Sequence, residues 1–242
     1  SQAESIFLQT FGWMRSRLDR NHPDLARAYN SLAIVAWERG DIDRALDFQR
    51  QAVAAWSTGH NDGRTAGGLF NLAMILHSTG RDREALPAAR EARALRVRQF
   101  GAGHELVGDS EHLLGEILSA LGEADAARTA LQQAVRLTMA GYGPEHSHTR
   151  RAEVSLARMR AGEGAADALL QLTAYGQSDD GDIEQRKSAW LARAYAAEVE
   201  CRTHPDSARA SLEAVLAEMQ LVLPEGGAIP REIAAIRKAC AR

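Results

Sequence analysis

One pattern of small residues recurs three times along this chain and limits the folds that the chain can adopt. It consists of a small residue followed by glycine, alanine and alanine at steps of 7, 12 and 19, and it begins at Ala33, Ala73 and Gly115. Successive copies are offset by 40 and 42 residues. Self-similarity at such a period is typical of repeat proteins, in which each unit stacks on its neighbours. The sequence therefore predicts a repeat array rather than a domain with one central core.

The spacing within one copy predicts a pair of antiparallel helices. Residues 24–39 carry apolar side chains at a helical period, and Gly40 can end that helix because glycine adopts a left-handed conformation at little cost. Asp41 is a candidate N-cap for the helix that follows. Ala33 and Ala45 are small at the positions where we expect the two helices to cross. One such hairpin cannot bury both of its faces, so we predict an all-α, right-handed solenoid of stacked hairpins.

Histidines recur in the linkers between copies. His22, His104 and His146 each lie 11 residues before the small residue of the next copy, and His60 lies 13 before it. Successive repeats sit on the order of 10 Å apart, the spacing of packed helices, which is too far to share a metal ion. We therefore predict that these histidines cap helices or pack in loops, and we predict no metal site.

The order of small residue, glycine, alanine and alanine resembles the pattern of the tetratricopeptide repeat family. The 42-residue offset and the histidine-containing linkers are similar to those of the longer, kinesin-light-chain-like repeats, although only His22 of these linkers is followed by proline. The resemblance implies helix hairpins that stack into a solenoid. It covers residues 3–160, where residues 3–18 correspond to the second helix of a partial first repeat.

The regular pattern ends near residue 160. We therefore predict regular repeats over residues 1–160, the first of them partial, and divergent repeats with a C-terminal capping helix of the same solenoid over residues 161–242. Terminal repeats commonly diverge because they must present a capping surface. Because the pattern begins in the middle of a repeat, we expect the chain to be a piece of a longer protein.

Charge and motifs argue against several classes of function. The formal net charge is −3, with 29 basic and 32 acidic residues, so we expect no general attraction to nucleic acid. No apolar run is long enough to predict a membrane span. The phosphate-loop, dinucleotide and zinc-protease motifs are absent, and Glu105, Asp109 and His112 on one helix face are too weak a signal for a metal or acid–base site. We predict that this chain is non-catalytic and uses no cofactor.

The family resemblance implies that the first helix of each repeat lines a concave groove that binds a protein or peptide. Asn71 matches a position that contacts the ligand backbone in the kinesin-light-chain-like sub-class, and an amide can donate and accept hydrogen bonds at once. Trp37, Phe70 and Met74 would form an apolar anchor pocket, although Trp37 and Met74 could equally pack between helices. The predicted groove residues are Arg27, Asn30, Ile34, Trp37, Phe70, Asn71, Met74, His77, His112 and Glu116, with Asp109, Ser119, Arg151 and Arg158 projected onto the same face.

Two cysteines stand near the C-terminal end. Cys201 and Cys240 are 39 residues apart and fit no metal-binding spacing. We predict two buried or half-buried thiols, because cysteine commonly behaves as a small apolar residue. A disulfide would need an oxidising compartment.

Several cellular roles are compatible with a binding module. The run from Trp190 to Ile233 is similar to C-terminal regions of bacterial serine/threonine protein kinases, which implies a regulatory or sensory segment of a larger signalling protein. The alternatives are a free-standing adaptor and a scaffold that self-associates through the N-terminal helix, where Phe7 and Phe11 lie. We expect a cytoplasmic location, or a periplasmic one if a membrane segment precedes the chain.

Overall fold

The computed structural model describes residues 11–58, 62–177, 182–201, 203–223 and 227–240. Within these ranges every regular element is a helix and no strand occurs, which confirms the all-α prediction. None of the helices within these ranges combines the length and the apolar character needed to cross a membrane. The helices are α1 (residues 11–17), α2 (Pro23–Glu38), α3 (Ile42–Thr58), α4 (Asp62–His77), α5 (Asp82–Phe100), α6 (Glu105–Ala120), α7 (Ala124–Tyr142), α8 (Ser147–Gly162), α9 (Ala166–Gly176), α10 (Ile183–Glu200), α11 (Pro205–Gln220) and α12 (Ala228–Cys240).

The chain divides into two compact units, Ser1–Gly101 and Ala102–Arg242. The first unit contains α1 to α5, and the second contains α6 to α12. The predicted change from regular to divergent repeats at residue 160 lies inside the second unit and stays a prediction.

Helix pairs in the first unit follow the predicted spacing. Gly40 and Gly80 adopt φ values of 79° and 72° in the turns after α2 and α4, as a left-handed helix ending requires. The alanines of the pattern are buried between helices, where a methyl group allows close approach. They are Ala33, Ala45, Ala52, Ala73, Ala85 and Ala92.

An aromatic cluster fills the beginning of the first unit. Phe11 of α1 packs edge-on against Tyr29 of α2, with ring centroids 5.1 Å apart, and lies 6.2 Å from Phe48 of α3. Phe11 is therefore buried, because these two rings cover it, and its side chain is not exposed for the self-association that the scaffold alternative assigns to the N-terminal helix. Trp13 is the exposed aromatic of α1, while Phe7 lies outside the described residues.

In the second unit a glycine takes the first position of the pattern. A Cβ atom on Gly115 would lie 2.6 Å from Leu131 Cγ, because α6 and α7 cross closely there. Ala127 and Ala134 are fully buried on the facing helix. The small residue of the repeat thus sets the distance between the two helices of a hairpin.

Helices α8 to α12 share one apolar core. Trp190 and Tyr195 of α10 are buried together with Leu212 of α11 and Ile233 of α12. α9 has only 11 residues and is the shortest helix of this core. α12 lies where a C-terminal capping helix was predicted, and its role as a cap stays a prediction.

Three linker histidines cap helices, as predicted. The Nδ1 atom of His22 accepts a hydrogen bond from the backbone N–H of Asp24 at the start of α2, at 3.2 Å. His104 and His146 accept in the same way from the residue two positions later, at 3.2 and 3.3 Å, at the starts of α6 and α8. His60 lies outside the described residues.

The prediction of two free thiols is wrong. Cys201 and Cys240 form a disulfide, with their Cα atoms 5.6 Å apart. Cys201 follows α10 directly, and Cys240 is the last residue of α12. The two meet because α11 and α12 return the chain to the end of α10, a geometry that a 39-residue separation does not reveal.

Candidate protein-binding surfaces

Three carboxamides meet in the first unit at the contact of α2, α3 and α4. Asn30 Oδ1 accepts one hydrogen bond from Asn71 Nδ2 at 3.1 Å and another from Gln49 Nε2 at 3.0 Å. Gln49 Nε2 also donates to the carbonyl oxygen of Gly68 at 3.0 Å. Gln49 is fully buried, whereas Asn30 and Asn71 are half-buried. Two residues predicted separately for the groove are therefore adjacent.

Each asparagine keeps part of its hydrogen-bonding capacity. Asn30 Nδ2 and Asn71 Oδ1 make no hydrogen bond with the described residues. One is a donor and the other an acceptor, which is the pair of groups that a peptide unit can satisfy. Gln49 contacts only Asn30 of the two, and its own Oε1 atom is buried without a partner among the described residues.

Sequence reasoning missed Gln49 because the groove prediction considered only first helices. Gln49 lies on α3, the second helix of its hairpin. The available signal was a polar residue between Leu46 and Ala52, on the face of α3 that the helical period assigns to the core. A buried amide at such a position needs hydrogen-bond partners, and the neighbouring first helices provide them.

Trp37 is tied to the next repeat. Its indole Nε1 donates to Ser78 Oγ at 3.0 Å, just after the end of α4, and its ring is half-buried. Ser78 in turn donates to the carbonyl oxygen of Ile75 at 2.9 Å. Trp37 thus packs between helices and also contributes to the surface.

The other candidates of the first unit differ in their surroundings. Ile34 is 41% exposed, and Met74 is half-buried. Phe70 lies beneath the guanidinium of Arg96 of α5, 4.3 Å from ring centroid to Cζ. His77 Nδ1 lies 2.5 Å from Asp82 Oδ1 at the start of α5, and exposed Arg27 pairs with Asp24. Phe70 and His77 therefore contact α5, whereas the amides join α2 to α4.

His112 and Glu116 belong to the second unit, where Ser155 joins them. Ser155 Oγ lies 2.9 Å from His112 Nε2 and donates to Glu116 Oε1 at 2.9 Å. α6 and α8 are linked through this hydroxyl. Asp109 contacts Tyr142 and His148. Among the described residues no three metal-binding side chains are grouped to hold an ion.

A charged network connects α8, α10 and α12. Arg158 forms two hydrogen bonds with Glu198, at 2.8 and 3.0 Å, and its guanidinium lies over the Tyr195 ring at 4.1 Å. The Tyr195 hydroxyl donates to Glu232 Oε1 at 2.5 Å, and Glu232 lies 3.8 Å from Arg158 Nη1. Residues from α8 and α10 thus surround one carboxylate of the C-terminal helix.

Burial and neighbouring charges together shift the pKa values in this network. It raises the pKa of the Tyr195 phenol well above its usual range, so that the hydroxyl stays a donor. It also raises the pKa of Glu232, and Glu116 adds to this effect, while Arg158 opposes it. Burial alone would lower the pKa of Arg158, but Tyr195 and Glu198 outweigh it and the pKa is raised.

Stacked helix hairpins with polar residues on successive first helices define an α-helical repeat protein. A family model described as tetratricopeptide repeat matches residues 1–57 and 64–140, more than half of the chain. The chain belongs to the tetratricopeptide repeat family. Such proteins typically bind other proteins, and the fold is generally non-catalytic.

Solved structures show the same fold at low sequence identity. The chain is 20% identical to the nearly identical repeats of a kinesin-light-chain-type protein of Podosopora anserina, with a TM-score of 0.58 over 83% of this chain and 98% of that one. It is 17% identical to a Rap protein in complex with Competence and Sporulation Factor, with a TM-score of 0.62 over 97% of this chain and 69% of the other.

One curated relative is much longer than this chain. The Clustered mitochondria protein homolog of Brugia malayi is 26% identical over 191 residues, which are 76% of this chain. The matching region is 13% of that protein.

Proposed function

We propose that this chain is a protein- or peptide-binding module whose ligand lies across α2 and α4 of the first unit. The contact residues are Asn30, Ile34, Trp37, Asn71 and Met74. The observation that carries the proposal is the amide cluster, in which the contact between Asn30 and Asn71 leaves the Asn30 NH2 group as a donor and Asn71 Oδ1 as an acceptor for a ligand.

Preorganisation supports a role for these amides in binding. Ordering side chains at an interface costs free energy, and groups that are already fixed avoid much of that cost. Gln49 fixes Asn30 through a hydrogen bond, and Asn30 fixes Asn71. An extended peptide that meets them gains hydrogen bonds without ordering two asparagine side chains first.

Apolar neighbours supply an anchor beside the amides. Ile34 lies on the same helix as Asn30 and is 41% exposed. Met74 adapts readily to different ligand shapes because its side chain is unbranched and polarizable. The similar Rap fold, solved in complex with Competence and Sporulation Factor, supports the idea that such an array holds a ligand.

The test uses a peptide selected on the wild-type chain from a phage-displayed library, with affinity measured by fluorescence anisotropy. The double variant Asn71→Ala with Trp37→Ala should weaken binding tenfold or more, because a few buried contacts dominate an interface of this kind. The control variant Gln132→Ala alters an exposed side chain of α7 and should bind as wild type does. Equal affinity of the double variant and wild type would show that the ligand binds elsewhere.

The regulatory role is a finer part of the same proposal. We infer that the module serves a larger bacterial signalling protein such as a serine/threonine kinase, because the run from Trp190 to Ile233 is similar to C-terminal regions of such kinases.

The alternative scaffold role is favoured by one observation, the 55% exposure of Trp13 on α1. Light scattering over a range of concentrations separates the two. A mass that doubles in wild type but not in Trp13→Ser supports the scaffold, and a constant monomer mass supports the binding module.

The disulfide bears on the compartment. Disulfides persist in oxidising environments and are rare in the cytosol. Cys201–Cys240 therefore favours the periplasmic alternative over the cytoplasmic one. Labelling of the freshly isolated natural protein with a thiol reagent tests this, because two labelled cysteines would place it in a reducing compartment.

A further inference from the structure

The C-terminal helix presents an apolar stripe to the second unit. Ile229, Ile233 and Ile236 lie on one face of α12, at steps of four and three residues, and all three are buried. They join the core that α10 and α11 form around Tyr195 and Val215. An amphipathic helix that lies on an apolar surface through such a stripe is also the usual form of a helical peptide ligand.

A carboxylate on the same helix is received by polar groups of two other helices. Glu232 accepts the Tyr195 hydroxyl at 2.5 Å and lies 3.8 Å from Arg158. Arg158 is itself held by two hydrogen bonds to Glu198, so its position does not depend on α12. The receiving site is thus built by α8 and α10, and α12 supplies the group that occupies it.

One covalent bond holds this helix in place. The disulfide joins Cys240, at the last turn of α12, to Cys201 at the end of α10. Both cysteines are only half-buried, so a small reductant can reach them. At its other end α12 is connected to α11 by a short segment that starts after Gln220.

We propose that α12 is an internal ligand of the second unit, locked by the Cys201–Cys240 disulfide, and that after reduction an amphipathic partner helix of the same pattern takes its place. The pattern is three branched apolar residues at steps of four and three, with a glutamate directly before the second. A dithiol reductant transfers two electrons and two protons to the disulfide, becomes a disulfide itself, and leaves Cys201 and Cys240 as thiols. The S–S bond is the bond that breaks, and α12 keeps only its non-covalent contacts.

Reduction should shift the equilibrium between α12 packed on the second unit (seated) and α12 detached from it (open), while most molecules keep α12 packed. A disulfide restricts the open state, and more so for a longer loop, which here spans 39 residues. The short connection to α11 still keeps α12 at a high effective concentration. We therefore expect the population of open α12 to rise on the order of 10- to 100-fold on reduction.

Hydrogen exchange read by mass spectrometry tests the lock in the full chain. Peptides from α12 should exchange at least tenfold faster in reduced than in oxidised wild type, while peptides from α6 and α7 keep their rates. The variant Cys201→Ser with Cys240→Ser should exchange rapidly with or without reductant. Unchanged exchange in α12 would overturn the proposal, and so would equal acceleration throughout the second unit, because α12 would then be part of one cooperative core.

A synthetic peptide of residues 227–240 carrying Cys240→Ser tests the replacement step. The acceptor is the full chain with Cys240→Ser and Ile233→Asp, whose own α12 is weakened in its contacts. The labelled peptide should bind this acceptor at least tenfold more tightly than it binds oxidised wild type. A peptide carrying Ile233→Asp should not bind, and one carrying Glu232→Ala should bind more weakly, because it leaves the Tyr195 hydroxyl unpaired.

Three results of that titration overturn the proposal. The first is equal affinity of the peptide for the acceptor and for oxidised wild type. The second is no binding to an acceptor whose α6 and α7 remain protected from hydrogen exchange. The third is loss of that protection throughout the acceptor's second unit. The last result would show that α12 cannot leave without unfolding the unit.

Discussion

Alanine occupies the helix crossings of this chain because the distance between paired helices leaves room for a methyl group and little more. Ala45 and Ala127 are fully buried at equivalent positions of two hairpins. A longer side chain there must push the helices apart or adopt a strained rotamer, since helix interfaces are as closely packed as other protein interiors. This constraint explains why the repeat was visible in the sequence at all.

We expect Ala127→Leu to lower the free energy of unfolding by about 1–3 kcal/mol through overpacking. The neighbouring Ala126 is exposed on the same helix. Ala126→Leu should therefore change the stability by less than about 0.5 kcal/mol, as surface substitutions usually do. Urea unfolding followed by circular dichroism measures both, and similar losses in the two variants would contradict the assigned crossing.

The histidine caps allow a second test at the level of single residues. His104 accepts a hydrogen bond from the Leu106 N–H at the start of α6, whereas His204 precedes α11 without a side-chain cap. His104→Ala should cost about 1 kcal/mol, the usual contribution of an N-cap, and His104→Asn should restore much of it. His204→Ala should be close to neutral in the same thermal unfolding experiment. An equal cost at both positions would mean that the cap contributes nothing.

Among the helices, α12 differs from the others in what holds it. Three kinds of contact hold it: buried isoleucines on one face, the ion pair of Glu232 with Arg158, and the disulfide of Cys240. A C-terminal capping helix was predicted in this region, where α12 lies, and its role as a cap stays a prediction. The contact of Glu232 with Tyr195 and Arg158 could not be predicted, because it joins helices that are about one repeat and two repeats apart in the chain and depends on how they stack.

Glu232 gives this helix a pH dependence whose sign follows from its pKa. Burial and Glu116 raise that pKa above the ordinary value of 4.5, so the native state binds the proton more tightly than the unfolded state does. The contribution to stability is fully present below about pH 4.5 and is lost as the pH rises through the raised native pKa.

The variant Glu232→Gln keeps an acceptor for Tyr195 and cannot ionise. We expect it to be more stable relative to wild type at pH 7 than at pH 4.5, in urea unfolding under oxidising conditions. Exposed Glu213→Gln on α11 is the matched control and should show no such change with pH. A constant difference between Glu232→Gln and wild type at both pH values would contradict the raised pKa.

For the molecule as a whole, residue spacing along the chain predicted the local features of the fold, whereas contacts between helices distant in the chain could not be predicted from it. The hairpins, the glycine turns, the alanine crossings and the histidine caps follow from residues close together in sequence. Gln49 was missed because the groove prediction considered only first helices, and the Cys201–Cys240 disulfide was missed because it depends on helices brought together by stacking. The groove candidates were projected from the family, and the structure brings Asn30 and Asn71 together while it places His112 and Glu116 in the other unit.

The central claim is that a ligand binds across α2 and α4 through the two asparagine amides. A titration of the isotope-labelled chain with the selected peptide, followed by two-dimensional NMR of side-chain amides, tests it most directly. We expect the Asn30 and Asn71 side-chain resonances to shift at saturation, while the side-chain amide of exposed Gln132 stays unchanged. If both asparagine resonances remain in place when the chain is saturated with ligand, the amide cluster is not the binding site.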